Sequence, residues 1–169
     1  MQTEKTRIKE AVIFVGGRNE RMQSEPYTAF LPKTALPLTL TPRPEAIFER
    51  LVNHLKELEI ENIYLLTDSE DEQERFSKYI KKKNWEGVYC FYIKEQGTGN
   101  TLLSFKEENK DKLKENFLII AGDSIFEKKE EEVKEVFKNF IEEGKKLIQN
   151  KNARIVRGII QLENYKGGK

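Results

Sequence analysis

The chain has one cysteine, one histidine, one tryptophan and two methionines among its 169 residues. A lone cysteine, Cys90, cannot close a disulfide within the chain. It lies in the apolar run Val88-Tyr89-Cys90-Phe91-Tyr92, where a buried strand thiol is expected rather than a nucleophile. One cysteine and one histidine, His54, cannot build a structural zinc site of the usual kind. Charge of one sign is also missing: 30 basic and 29 acidic side chains leave a net +1. That balance gives no reason to expect general affinity for nucleic acid or anionic membranes. No apolar stretch approaches the length of a membrane span. Met1 to Lys5 carries no apolar signal-peptide core, so the expectation is a cytoplasmic chain.

What is present is a globular composition with a heavily charged surface, 37% hydrophobic and 35% charged residues. The length suits a single domain over residues 1–169, and neither a repeat nor a linker divides it. Short apolar runs alternate with longer amphipathic stretches. Ala11-Val12-Ile13-Phe14-Val15, stopped by Gly16-Gly17, reads as a buried strand. A proline-punctuated segment follows over residues 18–43, and a connection that long is usually functional. A helix is expected from about Pro44 to Glu59, with Ile47, Leu51, Val52, Leu55 and Leu58 on one face.

A strand at Ile63–Thr67, a helix to about Lys82 capped by Asp68 or Ser69, and a strand at Val88–Ile93 come next. Residues 99–115 look helical, Phe117–Ala121 reads as a strand, and a charged helix runs from about Lys128 to Gln149. A last strand is expected at Ile155–Leu162. Alternation of this kind argues for a mostly parallel sheet with helices on both faces, a Rossmann-like α/β/α arrangement. Ligands bind such sheets beyond the carboxyl ends of the strands. That rim gathers Gly16-Gly17, Glu95-Gln96-Gly97 and Gly122-Asp123.

Four stretches carry candidate chemistry. Gly16-Gly17, directly after a strand, lets backbone N–H groups approach a phosphate without a Cβ in the way, and Arg21 supplies a permanent positive charge. A tight turn would use the same glycines. The GxxxxGK[ST] phosphate loop is absent, and so is the third glycine of the dinucleotide fingerprint. Lys33, held in Pro32-Lys33-Thr34-Ala35-Leu36-Pro37, suits a preorganised cation or an exposed loop lysine. Asp123, where a strand ends, suits a Mg²⁺ ligand or a turn cap. Glu95-Gln96-Gly97-Thr98-Gly99-Asn100 offers a flat backbone and amide groups for a base, or a helix start capped by Thr98 or Asn100.

Their order and spacing together resemble the sugar-phosphate nucleotidyltransferases, whose core opens with a strand, a GGxGxR loop and a PK(A/P)LxP stretch. Here Gly16-Gly17-Arg18-Asn19-Glu20-Arg21 and Pro32-Lys33-Thr34-Ala35-Leu36-Pro37 stand at those places. Glu95-Gln96-Gly97-Thr98-Gly99 is similar to the base-reading segment and Gly122-Asp123 to the metal-binding GD. The resemblance runs from about Ala11 to Gly167.

It implies a Mg²⁺-dependent enzyme joining a nucleoside triphosphate to a sugar 1-phosphate with release of pyrophosphate. Val15, Gly16 and Gly17 would hold the nucleotide, with Gln96, Gly97 and Thr98 lining its base. Arg21 and Lys33 would be catalytic, the first on the triphosphate and the second at the α-phosphorus, and Asp123 would hold Mg²⁺. Chemistry of this kind rests on positioning and charge neutralisation, in agreement with the absence of a Ser/His or Cys/His pair.

Two departures accompany the resemblance. The loop's third glycine and small hydroxyl are replaced by Asn19, which tolerates left-handed φ, and Glu20, whose carboxylate repels a triphosphate. The stretch Ile159–Gly167 resembles the family's mid-chain strand, beyond which relatives carry a sugar-binding region and a second metal-binding aspartate. The expectation is a chain without that C-terminal half, with apolar helix faces available for self-association. Two alternatives follow: a nucleotide-binding module without turnover, or a compact transferase for another phosphorylated acceptor.

Overall fold

The structure, a computed structural model, describes residues 8–16, 33–35, 37–38, 45–95, 97–113, 116–123 and 130–151. Its centre is a four-stranded parallel sheet of β1 (Glu10–Phe14), β4 (Asn62–Thr67), β5 (Val88–Tyr92) and β6 (Leu118–Ala121), in the order β5-β4-β1-β6. Register is in step across the middle: Ile13 lies beside Leu65 on one side and Ile120 on the other. The two central strands, β1 and β4, form where β-branched and aliphatic runs are buried on both faces, whereas β5 and β6 leave Tyr89 and Ile119 exposed. Consecutive residues Ala11, Val12 and Ile13 are all at 0% exposure, the signature of a sheet covered from both sides.

Connections decide which helix covers which face. Chain order moves outward from β1 to β4 to β5, then returns across the sheet to β6. With right-handed crossovers, α1 (Ile47–Glu57) and α2 (Glu70–Lys83) share one face, and α3 (Thr98–Glu108) lies on the other. Side-chain contacts agree. Phe48 of α1 meets Phe76 and Tyr79 of α2 edge-on, with ring centroids 4.9 and 5.3 Å apart. Phe105 of α3 packs with Val12, Tyr64 and Leu66 on the opposite face.

Local signals set the helix ends. α2 starts at Ser69, whose side chain accepts from the Glu72 N–H. Acidic residues in its first turn and Lys81 to Lys83 in its last complement the helix dipole, and it stops at Asn84 in the left-handed conformation, φ 52°. Two expected boundaries differ. α1 begins at Ile47 because Glu45–Ala46 (β3) pairs antiparallel with Pro37–Leu38 (β2). α3 ends at Glu108 rather than near residue 115, because the Asn109 side chain donates to the Phe105 carbonyl and competes with continued helix.

β5 is the sheet's outer strand among the described residues, so Cys90 is half-buried rather than buried. Burial and then the nearby Glu72 charge push its thiol up to about 12. Ile63 N–H bonds to the Gly87 carbonyl and Ile93 N–H to the Thr67 carbonyl, so the Cys90 carbonyl faces away from β4. It accepts from the Gln73 side chain at 3.3 Å.

The chain divides into two compact units, residues 1–127 and 128–169. The second unit contains α4 (Glu130–Lys151), close to its expected span. The strand expected at Ile155–Leu162 lies outside the described residues. Among the described residues, no helix is long and apolar enough to cross a membrane.

Candidate functional site

All four strands run the same way, so the segments after them share one rim. Gly16 follows β1, Asp68 follows β4, Ile93 to Glu95 follow β5, and Gly122-Asp123 follow β6. Strand order reverses between β1 and β6, which makes the end of those two strands the topological switch point. Neighbouring strands lie about 4.8 Å apart, so the rim from β5 to β6 is roughly 14 Å wide.

Close backbone approaches build the switch point. Gly122 donates its N–H to the Phe14 carbonyl at 2.9 Å. A Cβ on Gly122 would stand 2.2 Å from that oxygen and 2.9 Å from Cγ2 of Thr34. On Gly16 it would stand 2.7 Å from the Asp68 nitrogen and 2.8 Å from Asp68 Oδ1. Both glycines are therefore needed for space, not only for loop freedom.

The Lys33–Ala35 turn, a single 3-10 turn, joins them through Thr34. The Thr34 hydroxyl, buried, donates to the Val15 carbonyl at 2.8 Å. The end of β1, the Lys33–Ala35 turn and Gly122 after β6 thus meet at one place. Sequence spacing suggested that convergence, but neither Thr34 nor Asp68 was picked out as part of it. The contacts that reveal them span 19 residues between Thr34 and Val15, and reach Gly16 from a different strand end.

Each expected site residue has a defined position or lies outside the described set. Val15 and Gly16 both donate to the Leu66 carbonyl, at 2.9 and 3.2 Å. Their amides are committed to the sheet. Gly17, Arg21 and Gln96 lie outside the described residues, and of Lys33 only the backbone is described. Gly97, Thr98 and Asp123 are exposed on the rim.

Gly97 has φ +88°, a conformation that favours glycine, with nothing within 4 Å of a Cβ there. α3 starts without a side-chain cap from Thr98 or Asn100. Instead Thr101 ties the segment down: its hydroxyl donates to the Glu95 carbonyl at 2.8 Å and its N–H to the Gly97 carbonyl at 2.9 Å.

The rim is not uniformly positive. Thr67 donates its hydroxyl to Glu72 Oε2 at 2.5 Å, and burial pushes the Glu72 carboxyl up from its ordinary value, against that hydrogen bond and with help from the Asp68 charge. Among the described residues, no three carboxylate, histidine or cysteine groups cluster as a metal-binding set. A hard cation held at Asp123 would therefore take its other ligands from phosphate oxygens and water, which is how Mg²⁺ is commonly bound. An exposed carboxylate beside the packed Gly122 suits that arrangement.

A doubly wound, parallel α/β sheet with closely packed glycines at its strand ends is a Rossmann-like core. Comparison with known proteins gives the particular relatives. The chain is 32% identical over 124 residues to the bifunctional protein GlmU of Methanococcus maripaludis, a match that covers 73% of this chain and 27% of that protein. It is likewise 32% identical over 118 residues to GlmU of Methanococcus vannielii, covering 70% and 25%. The chain spans about a quarter of the length of these curated relatives.

Among solved structures, the inositol-1-phosphate CTP transferase of T. maritima aligns with a TM-score of 0.55 at 21% identity, over 70% of this chain and 45% of that one. A candidate glucose-1-phosphate thymidylyltransferase of Bacillus anthracis aligns with a TM-score of 0.57 at 19% identity, over 79% and 51%. No protein-family model matches the chain. In sequence the chain is similar to a part of GlmU, and its fold is that of the solved nucleotidyltransferases.

Proposed function

We propose that this chain is the nucleotide-binding portion of a nucleotidyltransferase that joins a nucleoside triphosphate to a sugar 1-phosphate. The observation that carries the reading is the meeting of Val15, Thr34 and Gly122 at the switch point. It draws the end of β1, the Lys33–Ala35 turn and the segment after β6 together where ligands bind such sheets. The triphosphate would lie across Gly16, with Gly17 and Arg21 supplying donors and charge from the following loop. The base would extend toward Gln96, Gly97 and Thr98 at the outer strand. Asp123 would hold Mg²⁺, which when bound supplies charge neutralisation for the phosphate oxygens.

In this reading an oxygen of the sugar 1-phosphate attacks the α-phosphorus. The bond from that phosphorus to the β-phosphate bridging oxygen breaks, and pyrophosphate leaves with the electron pair. Lys33 offsets charge growing on the α-phosphate oxygens, and no protein nucleophile is required. The Cys90 thiol, on the outer strand and pushed up to about 12, suits no such role.

A second reading has one observation in its favour. Asp68 Oδ1 stands beside Gly16, and Glu20 follows in the same loop sequence; negative charge there works against holding the phosphates as turnover requires, which fits nucleotide binding without turnover. The experiment is incubation with Mg²⁺, each nucleoside triphosphate and a panel of sugar 1-phosphates, with pyrophosphate release measured alongside calorimetric binding. Release supports the transferase. Binding without release supports the second reading, and failure of every triphosphate to bind removes both.

A further inference from the structure

We propose that Thr34 is a positioning residue whose hydroxyl clamps the Lys33–Ala35 turn onto the end of β1 and so sets where Lys33 stands relative to Gly16. The inference rests on the reading that Lys33 acts at the α-phosphate. A turn of three residues has little stability of its own, so its place must come from outside contacts. On one side it packs against α1. On the other, Thr34 is 4% exposed and divides its two branches between two strand ends. Its hydroxyl donates to the Val15 carbonyl at 2.8 Å. Its methyl Cγ2 occupies the space beside Gly122, 2.9 Å from where a Cβ would be.

Val15 is the last residue before Gly16, and its N–H is already bound to Leu66 across the sheet. The backbone at Val15 and Gly16 is therefore gripped from β4 by two hydrogen bonds and from the lysine turn by a third. Lys33 is one residue from the grip. The hydroxyl, rather than the side chain's bulk, is what ties the two segments together, and a valine of the same shape would fill the space without the tie. It would also leave the Val15 carbonyl buried without this donor.

The test compares wild type with Thr34→Val, Thr34→Ser and Thr34→Ala by steady-state pyrophosphate release and by amide hydrogen exchange with mass spectrometry. Thr34→Val is expected to lower kcat roughly tenfold or more, as small misplacements of reacting groups do, with KM for the triphosphate little changed. Thr34→Ser should recover most of the rate, and peptides covering residues 33–38 should exchange faster in the valine and alanine variants but not in the serine variant. Unchanged kcat with unchanged exchange in Thr34→Val overturns the clamp. So does a serine variant no better than the alanine variant, a comparison that holds if valine prevents folding. If wild type neither binds a triphosphate nor releases pyrophosphate, the reading of Lys33 falls and exchange alone decides the clamp: faster exchange in valine supports it, and no change removes it.

Discussion

Replacing Gly122 by alanine adds one methyl at the tightest approach on the rim. In the present backbone that methyl would lie 2.2 Å from the Phe14 carbonyl oxygen and 2.9 Å from Thr34 Cγ2. The oxygen is main chain and already accepts the Gly122 N–H, so it cannot swing aside as a side chain would. β6 must instead move away from β1 at its carboxyl end. Overpacking of this sort costs about 1–3 kcal/mol. For a chain of this size 1 kcal/mol shifts Tm by about 2–4 °C, so the expected fall is on the order of 2–12 °C.

Gly99 provides the control, because a Cβ there meets nothing within 4 Å and the residue lies inside α3. Gly99→Ala should leave Tm unchanged or raise it, since alanine gains up to about 1 kcal/mol over glycine in a helix. Calorimetric melting of the two variants beside wild type is the assay. If Gly122→Ala melts with wild type, the close approach of β1 and β6 is wrong, and the convergence at the switch point loses its main support.

Three further outcomes can be checked. Glu49 is buried between α1 and α2, where burial raises its pKa but hydrogen bonds from Lys83 and Tyr79 outweigh it and hold it below 4.5. A lowered folded pKa gives stability that is present above the unfolded value and lost as pH falls through the folded one. Lys83→Met should therefore destabilise the protein at pH 7 by about 1–3 kcal/mol, with the gap closing on acidification, and a gap that stays constant from neutral to acid pH in urea melts contradicts this account. Cys90, with its thiol pushed up to about 12, should react with a thiol reagent at pH 8 far more slowly in the folded protein than in denaturant; equal rates would count against its described surroundings. Asp68→Asn removes a negative charge beside Gly16, and one charge a few ångströms from a phosphate in water is worth about 1 kcal/mol. Metal-free triphosphate should bind about fivefold tighter by calorimetry, and weaker binding would mean that Asp68 helps rather than opposes the ligand.

The sheet was legible because its signals are local. Runs such as Ala11–Val15 and Ile63–Thr67 are too apolar to face water, and the intervening helices announce themselves by period and by residues such as Ser69. Boundaries slipped where a distant segment intervened. The Pro44 start gave way because Glu45–Ala46 pairs with Pro37–Leu38. Likewise, the rim was readable as a list of strand ends, but its internal contacts were not. Nothing in the neighbourhood of Thr34 says that its hydroxyl finds Val15, and Asp68 reads as a helix cap until the fold lays it against Gly16. The glycine-rich loop from Gly17 to Arg21 lies outside the described residues.

The amide of Gln73 holds the central outward carbonyl of β5, the outer strand among the described residues. An exposed strand rail rich in aromatic residues is the kind of template on which chains stack into fibres. Occupying one acceptor in the middle of Val88–Tyr92 breaks the unbroken row that an incoming chain would need, at no expense to the strand's own pairing. The helix that covers one face of the sheet thereby also reaches its side.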